Sequence, residues 1–337
     1  MSVRPDYEYI KALSVEEALE ALEKYGTDAM LFAGGTDLLI QMKQKTLSPL
    51  YLIDVKGIPD IGSITKGNHF LKIGTAATLR DVERFCADHS ILPAVAESAR
   101  LVGAVQLRNR ATMGGNLCQS IKCPHYNQSH INPFMREALK PCFRRGGKSC
   151  HTVKWGREVS HAILIDKQYC RASFGSNMGI AVAALAGLVV LVSKEGTREV
   201  TIENLYEKDS EPKVAANEII THIKIPLSLQ DRNTFLQYKA NPAGYTLLNI
   251  AASLTLEDDG ETCRKLSMWL GGVAAQPYQA KDVEAYLNSK RLNRGVIEKA
   301  SQLLFQGVEL SEATMRFKAA KARVLCREAL MKISDQN

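Results

Sequence analysis

No run of apolar residues in this chain of 337 residues is long enough for a membrane helix. The longest, Met178 to Val192, spans 15 residues, where a spanning helix needs about 20. The opening Met1-Ser-Val-Arg-Pro-Asp contains no apolar signal region. Both absences lead to the expectation of a cytoplasmic protein without a membrane span, whose thiols stay reduced. No G-x-G-x-x-G opens a helix, so a Rossmann dinucleotide fold is not expected, and no G-x-x-x-x-G-K-[ST] phosphate loop occurs. Aromatic residues make up only 7% of the chain and are not interleaved with the basic ones. This excludes a stacking surface for nucleic acid. There is no internal repeat or low-complexity tract.

What remains is a globular composition, 45% hydrophobic and 23% charged, with enough length for two or three domains. The net charge of +7 is partly local. Lys122, Arg136, Lys140, Arg144, Arg145, Lys148, Lys154, Arg157 and Lys167 share one segment with few acids. That segment reads either as a solvated loop or as a docking face for an acidic redox partner. Five of the eight cysteines, at 118, 123, 142, 150 and 170, fall in the same segment. Thiolates gathered beside a glycine turn suggest an inorganic cluster near an organic cofactor.

Caps and periodicity place the elements. Ser14 and Glu17 open a helix from Val15 with a capping box, and Gly26 ends it. Ala29 to Phe32 reads as a strand, Leu38 to Lys43 as a helix and Tyr51 to Val55 as a strand, a small βαβ unit. Thr78 caps a helix over Leu79 to Asp88, and Pro93 opens another to Arg100. After the cysteines a buried helix (Gly179 to Leu188) is expected, then strands over 189–193, 198–202 and 219–226. The polar stretch Leu227 to Asn233 divides residues 1–228 from 229–337. Beyond it, 234–239, 247–257 and 265–271 read as strands, followed by helices over 281–287, 293–305 and 315–333. The fold class is α+β: a two-part N-terminal domain, with the βαβ subdomain and a larger mixed α/β subdomain, then a C-terminal domain with a three-stranded antiparallel sheet and helices.

Ala33-Gly34-Gly35-Thr36-Asp37 lies between a strand and a helix, where backbone amides point outward and favour an anion. Adjacent glycines permit positive φ and close approach of a phosphate. Gly114-Gly115-Asn116 offers the same chemistry about 80 residues on.

Three strings, Phe32-Ala-Gly-Gly-Thr-Asp-Leu-Leu, Gln106-Leu-Arg-Asn-Arg-Ala-Thr-Met-Gly-Gly-Asn-Leu-Cys118 and Leu270-Gly-Gly-Val-Ala-Ala-Gln-Pro277, resemble in order those of the FAD-binding subunit of molybdenum hydroxylases. The resemblance covers roughly residues 4–333. It implies FAD held by Leu31, Phe32, Ala33, Gly34, Gly35, Thr36, Asp37 and Leu38 and by Arg110, Ala111, Thr112, Gly114, Gly115 and Asn116. Asn177 stands where the family usually carries Asp, and Lys239 and Tyr245 match positions that reach the flavin; as plain structure they read as a strand end and a packed aromatic. About 50 residues intervene where most members pass directly to a helix, so 118–172 reads as an inserted loop.

Within the family, 4-hydroxybenzoyl-CoA reductase carries a [4Fe-4S] cluster on such a loop, and a periplasmic aldehyde oxidoreductase has a comparable one. The resemblance implies Cys123, Cys142, Cys150 and Cys170 as ligands, at intervals of 19, 8 and 20, with a further insert around Lys154 to Lys167. Cys118 is the rival ligand, His151 and His161 are possible substitutes, and zinc is the competing metal. Cys86, Cys263 and Cys326 read as buried and inert. The implied protein is an electron-transfer subunit with no catalytic residue of its own. Its partners would be a molybdopterin-binding large subunit, a [2Fe-2S] small subunit and a ferredoxin-like donor, and its chemistry reductive dehydroxylation of an aryl-CoA. The alternatives are a complex that oxidises an aldehyde, purine or N-heterocycle, and a zinc-stabilised binding module.

Overall fold

The computed structural model describes residues 7–123, 126, 141–151, 161–164, 170–206, 211–227, 231–239 and 246–335. The N-terminal part is a three-stranded parallel sheet. Strand β1 (Glu8–Lys11) leads through helix α1 (Val15–Tyr25) to β2 (Ala29–Phe32), and helix α2 (Leu38–Lys43) carries the chain to β3 (Tyr51–Asp54). The order is β1-β3-β2, so the expected βαβ unit gains a third strand on the far side of β3. Helix α1 starts where its cap dictates: Ser14 Oγ accepts from the Glu17 amide at 3.1 Å. The Glu17 carboxylate accepts from the Leu13 amide at 2.8 Å, one residue further back than a capping box requires. Ala18, Leu19, Ala21 and Leu22 bury one stripe of α1 against Ile53 and Val55.

A five-stranded antiparallel sheet follows, in the order β4-β5-β8-β6-β7. Strands β4 (Ile64–Lys66) and β5 (Phe70–Gly74) precede helices α3 (Leu79–Asp88), α4 (Pro93–Arg100), α5 (Val105–Arg108) and α6 (Met113–Leu117). Helix α7 (Asn177–Ala184), strands β6 (Leu188–Ser193) and β7 (Gly196–Thr201), helix α8 (Ile202–Leu205) and strand β8 (Ile219–Pro226) complete it. Every residue of α7 is buried. A helix apolar on all sides belongs inside a fold, and α7 packs against α4 on one side and the next sheet on the other.

That sheet contains β9 (Asp231–Tyr238), β10 (Leu248–Leu256), β11 (Cys263–Gly271) and the two-residue β12 (Tyr278–Gln279), in the order β12-β11-β10-β9. Its three expected strands are present and β12 extends it. Helices α9 (Lys281–Leu287), α10 (Arg294–Leu303) and α11 (Ala313–Ser334) cover it. Strand β9 starts inside the polar stretch expected to be a linker. Its polar residues serve helix ends: Asn233 Oδ1 accepts from the Ala94 amide at 2.9 Å, where α4 has no cap of its own. Arg232 donates to the Ser334 carbonyl at 2.7 Å, closing the far end of α11.

The third glycine string is a joint. Gly272 has φ +84°, and a Cβ there would lie 2.2 Å from the Leu247 carbonyl oxygen. Its amide donates to the Phe174 carbonyl at 2.8 Å, and the Phe174 amide donates to Ala274 O at 2.8 Å. Val273 O accepts from Ile163 and Leu164 at 2.8 and 2.9 Å. The string thus docks both the end of the cysteine segment and the approach to α7. A second anchor comes from α11, where buried Lys318 donates to the His161 carbonyl at 2.7 Å. Burial without a counter-charge lowers its amine from 10.5 to about 7.

Gly272→Ala is expected to destabilise the protein by about 1–3 kcal/mol through left-handed strain and overpacking, read as a lower Tm; an unchanged Tm contradicts this joint. Lys318→Met tests the second anchor. The unfolded chain retains the higher ordinary value, so between about pH 7 and 10.5 the unfolded state binds more protons and stability rises with pH. The variant should lose that slope in denaturation curves taken across this window; a slope that survives the substitution would remove Lys318 as its source.

Candidate functional site

Strand β2 ends at Phe32, whose carbonyl accepts from the Val55 amide at 3.1 Å, and the chain turns through Gly34 and Gly35 into α2. Gly35 sits at φ +71°, and a Cβ there would meet the Phe32 ring at 2.7 Å. Lys56 fixes the turn from β3: its Nζ donates to Ala33 O at 3.1 Å and to Asp54 at 2.7 Å, and lies 4.3 Å from the Phe32 ring centroid. Asp54 also accepts from the Tyr9 hydroxyl. Desolvation opposes ionisation of buried Asp54, but Lys56 and Tyr9 outweigh it and hold its carboxyl below the usual range; Tyr9 is in turn raised to about 12 by that hydrogen bond. Among the described residues, the amides of Gly34, Gly35, Thr36 and Asp37 donate to no backbone acceptor.

The second turn is sewn to the residues after β5. Gly114 N donates to Thr75 O at 2.8 Å, Met113 N to Ala77 O at 2.9 Å, and Leu79 N to Ala111 O at 2.8 Å. Thr112 Oγ1 caps α6 by accepting from Gly115 N at 3.1 Å. Gly114 presses on Thr75, where a Cβ would come within 2.7 Å of the Thr75 Cβ. The two turns meet directly: a Cβ on Gly34 would lie 2.0 Å from the Arg110 carbonyl oxygen. Residues 76 positions apart in the chain thus form one glycine-lined seam, with Arg110 and Gly115 exposed along it. Cys118 follows α6. It is exposed, and desolvation by the surrounding protein pushes its thiol up to about 11.

Asn116 and Asn177 face inward. Asn116 Oδ1 accepts from Ser176 Oγ at 2.9 Å and from the Met178 amide at 3.1 Å, which ties the second turn to the start of α7. Asn177 accepts from Asn249 at 2.8 Å and donates to Gln237 at 3.3 Å and Ser98 O at 3.4 Å. An aspartate there has no N–H for Gln237 or Ser98 and would bury a charge; amide partners suit an amide. Lys239 is half-buried just past the end of β9. Tyr245 lies outside the described residues.

In the cysteine segment, Cys123, Cys142 and Cys150 are buried and Cys170 is half-buried. Cys123 and Cys170 share an apolar cluster with Ile121, Tyr126 and Ala172. Desolvation raises the Cys170 thiol, against hydrogen bonds from the Ala172 amide and Arg144. Cys123 Sγ lies 3.7 Å from His161 Nε2. A tight turn presents Cys142: the amides of Arg145 and Gly147 both donate to its carbonyl, at 2.8 and 2.9 Å. Gly147 leaves no room for a Cβ, which would lie 1.6 Å from Pro141 O. Cys123 and Cys170 share that cluster and Cys150 is near enough to Cys170 to help raise its thiol, but among the described residues no three cysteine, histidine or acidic side chains converge in metal-binding geometry. Most of the insert expected around Lys154 to Lys167 lies outside the described residues.

Some basic residues of the expected docking face are engaged within the chain. Lys122 pairs with Asp37, Arg144 with Glu211 at 2.8 Å, and Arg145 donates to Thr46 and to Tyr126 O at 3.2 and 2.9 Å. Arg136, Lys140, Lys154, Arg157 and Lys167 lie outside the described residues. Sequence reasoning missed Lys56, Thr75 and Lys318. Nothing in their local pattern marks them, because each acts through a contact distant in the chain.

The seam fits a dinucleotide. Gly34 and Gly35 leave no room for a side chain, and the amides of residues 34–37, which donate to no backbone acceptor among the described residues, suit a pyrophosphate. Comparison with known proteins agrees. Residues 5–228 match the family model described as the FAD binding domain in molybdopterin dehydrogenase. Residues 234–333 match the CO dehydrogenase flavoprotein C-terminal domain. The chain is 29% identical over 286 residues to the aldehyde oxidoreductase FAD-binding subunit of Escherichia coli, covering 81% of this chain and 83% of that one. It is 21% identical over 294 residues to the glyceraldehyde dehydrogenase medium chain of Sulfolobus acidocaldarius, covering 87% and 85%. In fold it is similar to carbon monoxide dehydrogenase from Hydrogenophaga pseudoflava, with a TM-score of 0.74 at 22% identity over 98% of both chains. With most of its length matched in this way, the chain belongs to the FAD-binding medium subunits of the molybdenum hydroxylase family.

Proposed function

We propose that the chain is the flavin subunit of a complex that oxidises an aldehyde, with substrate chemistry on a molybdopterin-binding large subunit and a [2Fe-2S] small subunit as the intermediate carrier. The near full-length similarity to the aldehyde oxidoreductase subunit carries this reading, and the glyceraldehyde dehydrogenase chain supports it. A cysteine-bearing loop is expected both in the aryl-CoA reductase and in an aldehyde oxidoreductase of the family, so the loop does not favour the reductive direction. The oxidative alternative replaces aryl-CoA dehydroxylation as the leading reading, and with it the ferredoxin-like donor gives way to an electron acceptor.

FAD, when bound, couples two-electron to one-electron transfer. In our reading, residues 31–38 and 110–116 hold it. Gly34, Gly35 and Thr36 give their amides to the pyrophosphate, Lys56 keeps the turn in place through Ala33 O, and Thr112 fixes the second turn. Lys239 and Tyr245 approach from the C-terminal part. The same reading assigns a [4Fe-4S] cluster to Cys123, Cys142, Cys150 and Cys170. The identity of the donors supports it, with Cys142 and Cys150 buried, Cys123 and Cys170 in one apolar cluster, and His161 beside Cys123 as a hydrogen-bonding neighbour.

Purified with its partner chains, the protein should support aldehyde oxidation with an electron acceptor; turnover only in the reductive direction, on an aryl-CoA, overturns the assignment. Gly35→Val should leave the chain without FAD, since a β-branched residue does not take positive φ cheaply; flavin content equal to wild type would show that the turn is not the binding loop. Cys142→Ser should lose iron while keeping FAD, and full retention of iron would remove Cys142 from the ligand set.

A further inference from the structure

Asp37 occupies the N-cap of α2, yet its side chain makes no capping bond. An aspartate in that position ordinarily accepts from the first amides of its own helix. Here the carboxylate turns away: Oδ2 accepts from the Ser120 amide and from Gln41 Nε2, both at 2.9 Å, and Oδ1 pairs with Lys122 Nζ. Two consequences follow. The Leu39 and Ile40 amides donate instead to Gly35 O and Asp37 O, both at 3.1 Å, and the carboxylate beside the glycine turn is directed away from it and neutralised by Lys122. The residues bound, 120 and 122, lead directly into Cys123. Just beyond the far end of α2, Thr46 Oγ1 accepts from Arg145 at 3.2 Å, and Arg145 also holds Tyr126 O. The segment from the flavin turn through α2 to Thr46 is therefore clamped to the cysteine segment at both ends.

We propose that Asp37 is a positioning residue that couples the flavin turn to residues 119–123 and 141–151, so that FAD binding and the ordering of these residues reinforce each other. The inference rests on the FAD reading above. A ligand that fixes the turn fixes the carboxylate that holds Ser120 and Lys122, and the coupling is reciprocal by linkage. Hydrogen bonds to a charged group are strong enough for the effect to be on the order of tenfold.

The test is hydrogen–deuterium exchange on the full chain, stripped of FAD and reconstituted, followed in residues 119–123 and 141–151, with FAD binding measured separately by fluorescence titration. In wild type, FAD should slow exchange in both segments by about tenfold. In Asp37→Ala, measured at FAD concentrations that saturate the variant, the slowing should vanish, and by reciprocity its FAD affinity should fall by a similar factor of about tenfold. Lys122→Met, which keeps the Ser120 bond and alters a partly exposed side chain, should retain part of it. Bound FAD without slowing in wild type, or equal slowing in Asp37→Ala, overturns this inference alone. A wild type that binds no FAD overturns both the inference and the reading beneath it.

Discussion

Two stretches of backbone meet where one of them leaves no room for a side chain. Gly34 lies against the Arg110 carbonyl so closely that a Cβ would lie 2.0 Å from its oxygen, and the rest of the site is arranged around that contact. On one side, β3 supplies Lys56 to hold Ala33, and Asp54 holds Lys56. On the other, the chain after β5 holds Gly114 and Met113 through Thr75 and Ala77. Among the described residues the parallel sheet and the five-stranded sheet share no hydrogen-bonded strand. The seam joins them, as do Ile219 of β8, buried among the residues of the first sheet's core, and Val192 of β6, packed against it. A surface made where two such bodies meet is a natural place for a ligand that spans both.

Much of this was legible in the chain because the signals were local. The helices from Leu79 and Pro93 have the bounds their capping Thr78 and N-terminal proline imply. Glycine pairs marked both turns because close approach and positive φ leave few other residue types. What was not legible depends on partners far away in sequence. The start of β9 looked like a linker because Arg232 and Asn233 are polar, and they are polar because they serve the ends of α11 and α4. Asn177 looked like a weakened flavin contact; its polar atoms are taken up by Ser98, Gln237 and Asn249, none of them near it in the chain. Composition showed the basic character of the cysteine segment but not that Lys122, Arg144 and Arg145 are committed to partners within the chain.

The cysteine segment is tied into the body at three places with different physics. Asp37 holds its beginning by charge and hydrogen bonds. Gly272, Val273 and Ala274 hold its later part through backbone pairing with Phe174, Ile163 and Leu164. Lys318 holds its middle from α11, with its amine taken out of water to reach one carbonyl. A buried lysine costs stability on its own account, and here its hydrogen bond fixes the stretch in which Ala162 and Ile163 are buried.

The central claim is that the seam between the two glycine turns is where FAD sits. The most direct measurement is the FAD released per chain on denaturation, for wild type and for Gly34→Ala purified in the same way. The account predicts one FAD per wild-type chain and almost none in the variant, whose single added methyl would lie against the Arg110 carbonyl. Equal flavin in both, or none in wild type, would contradict it.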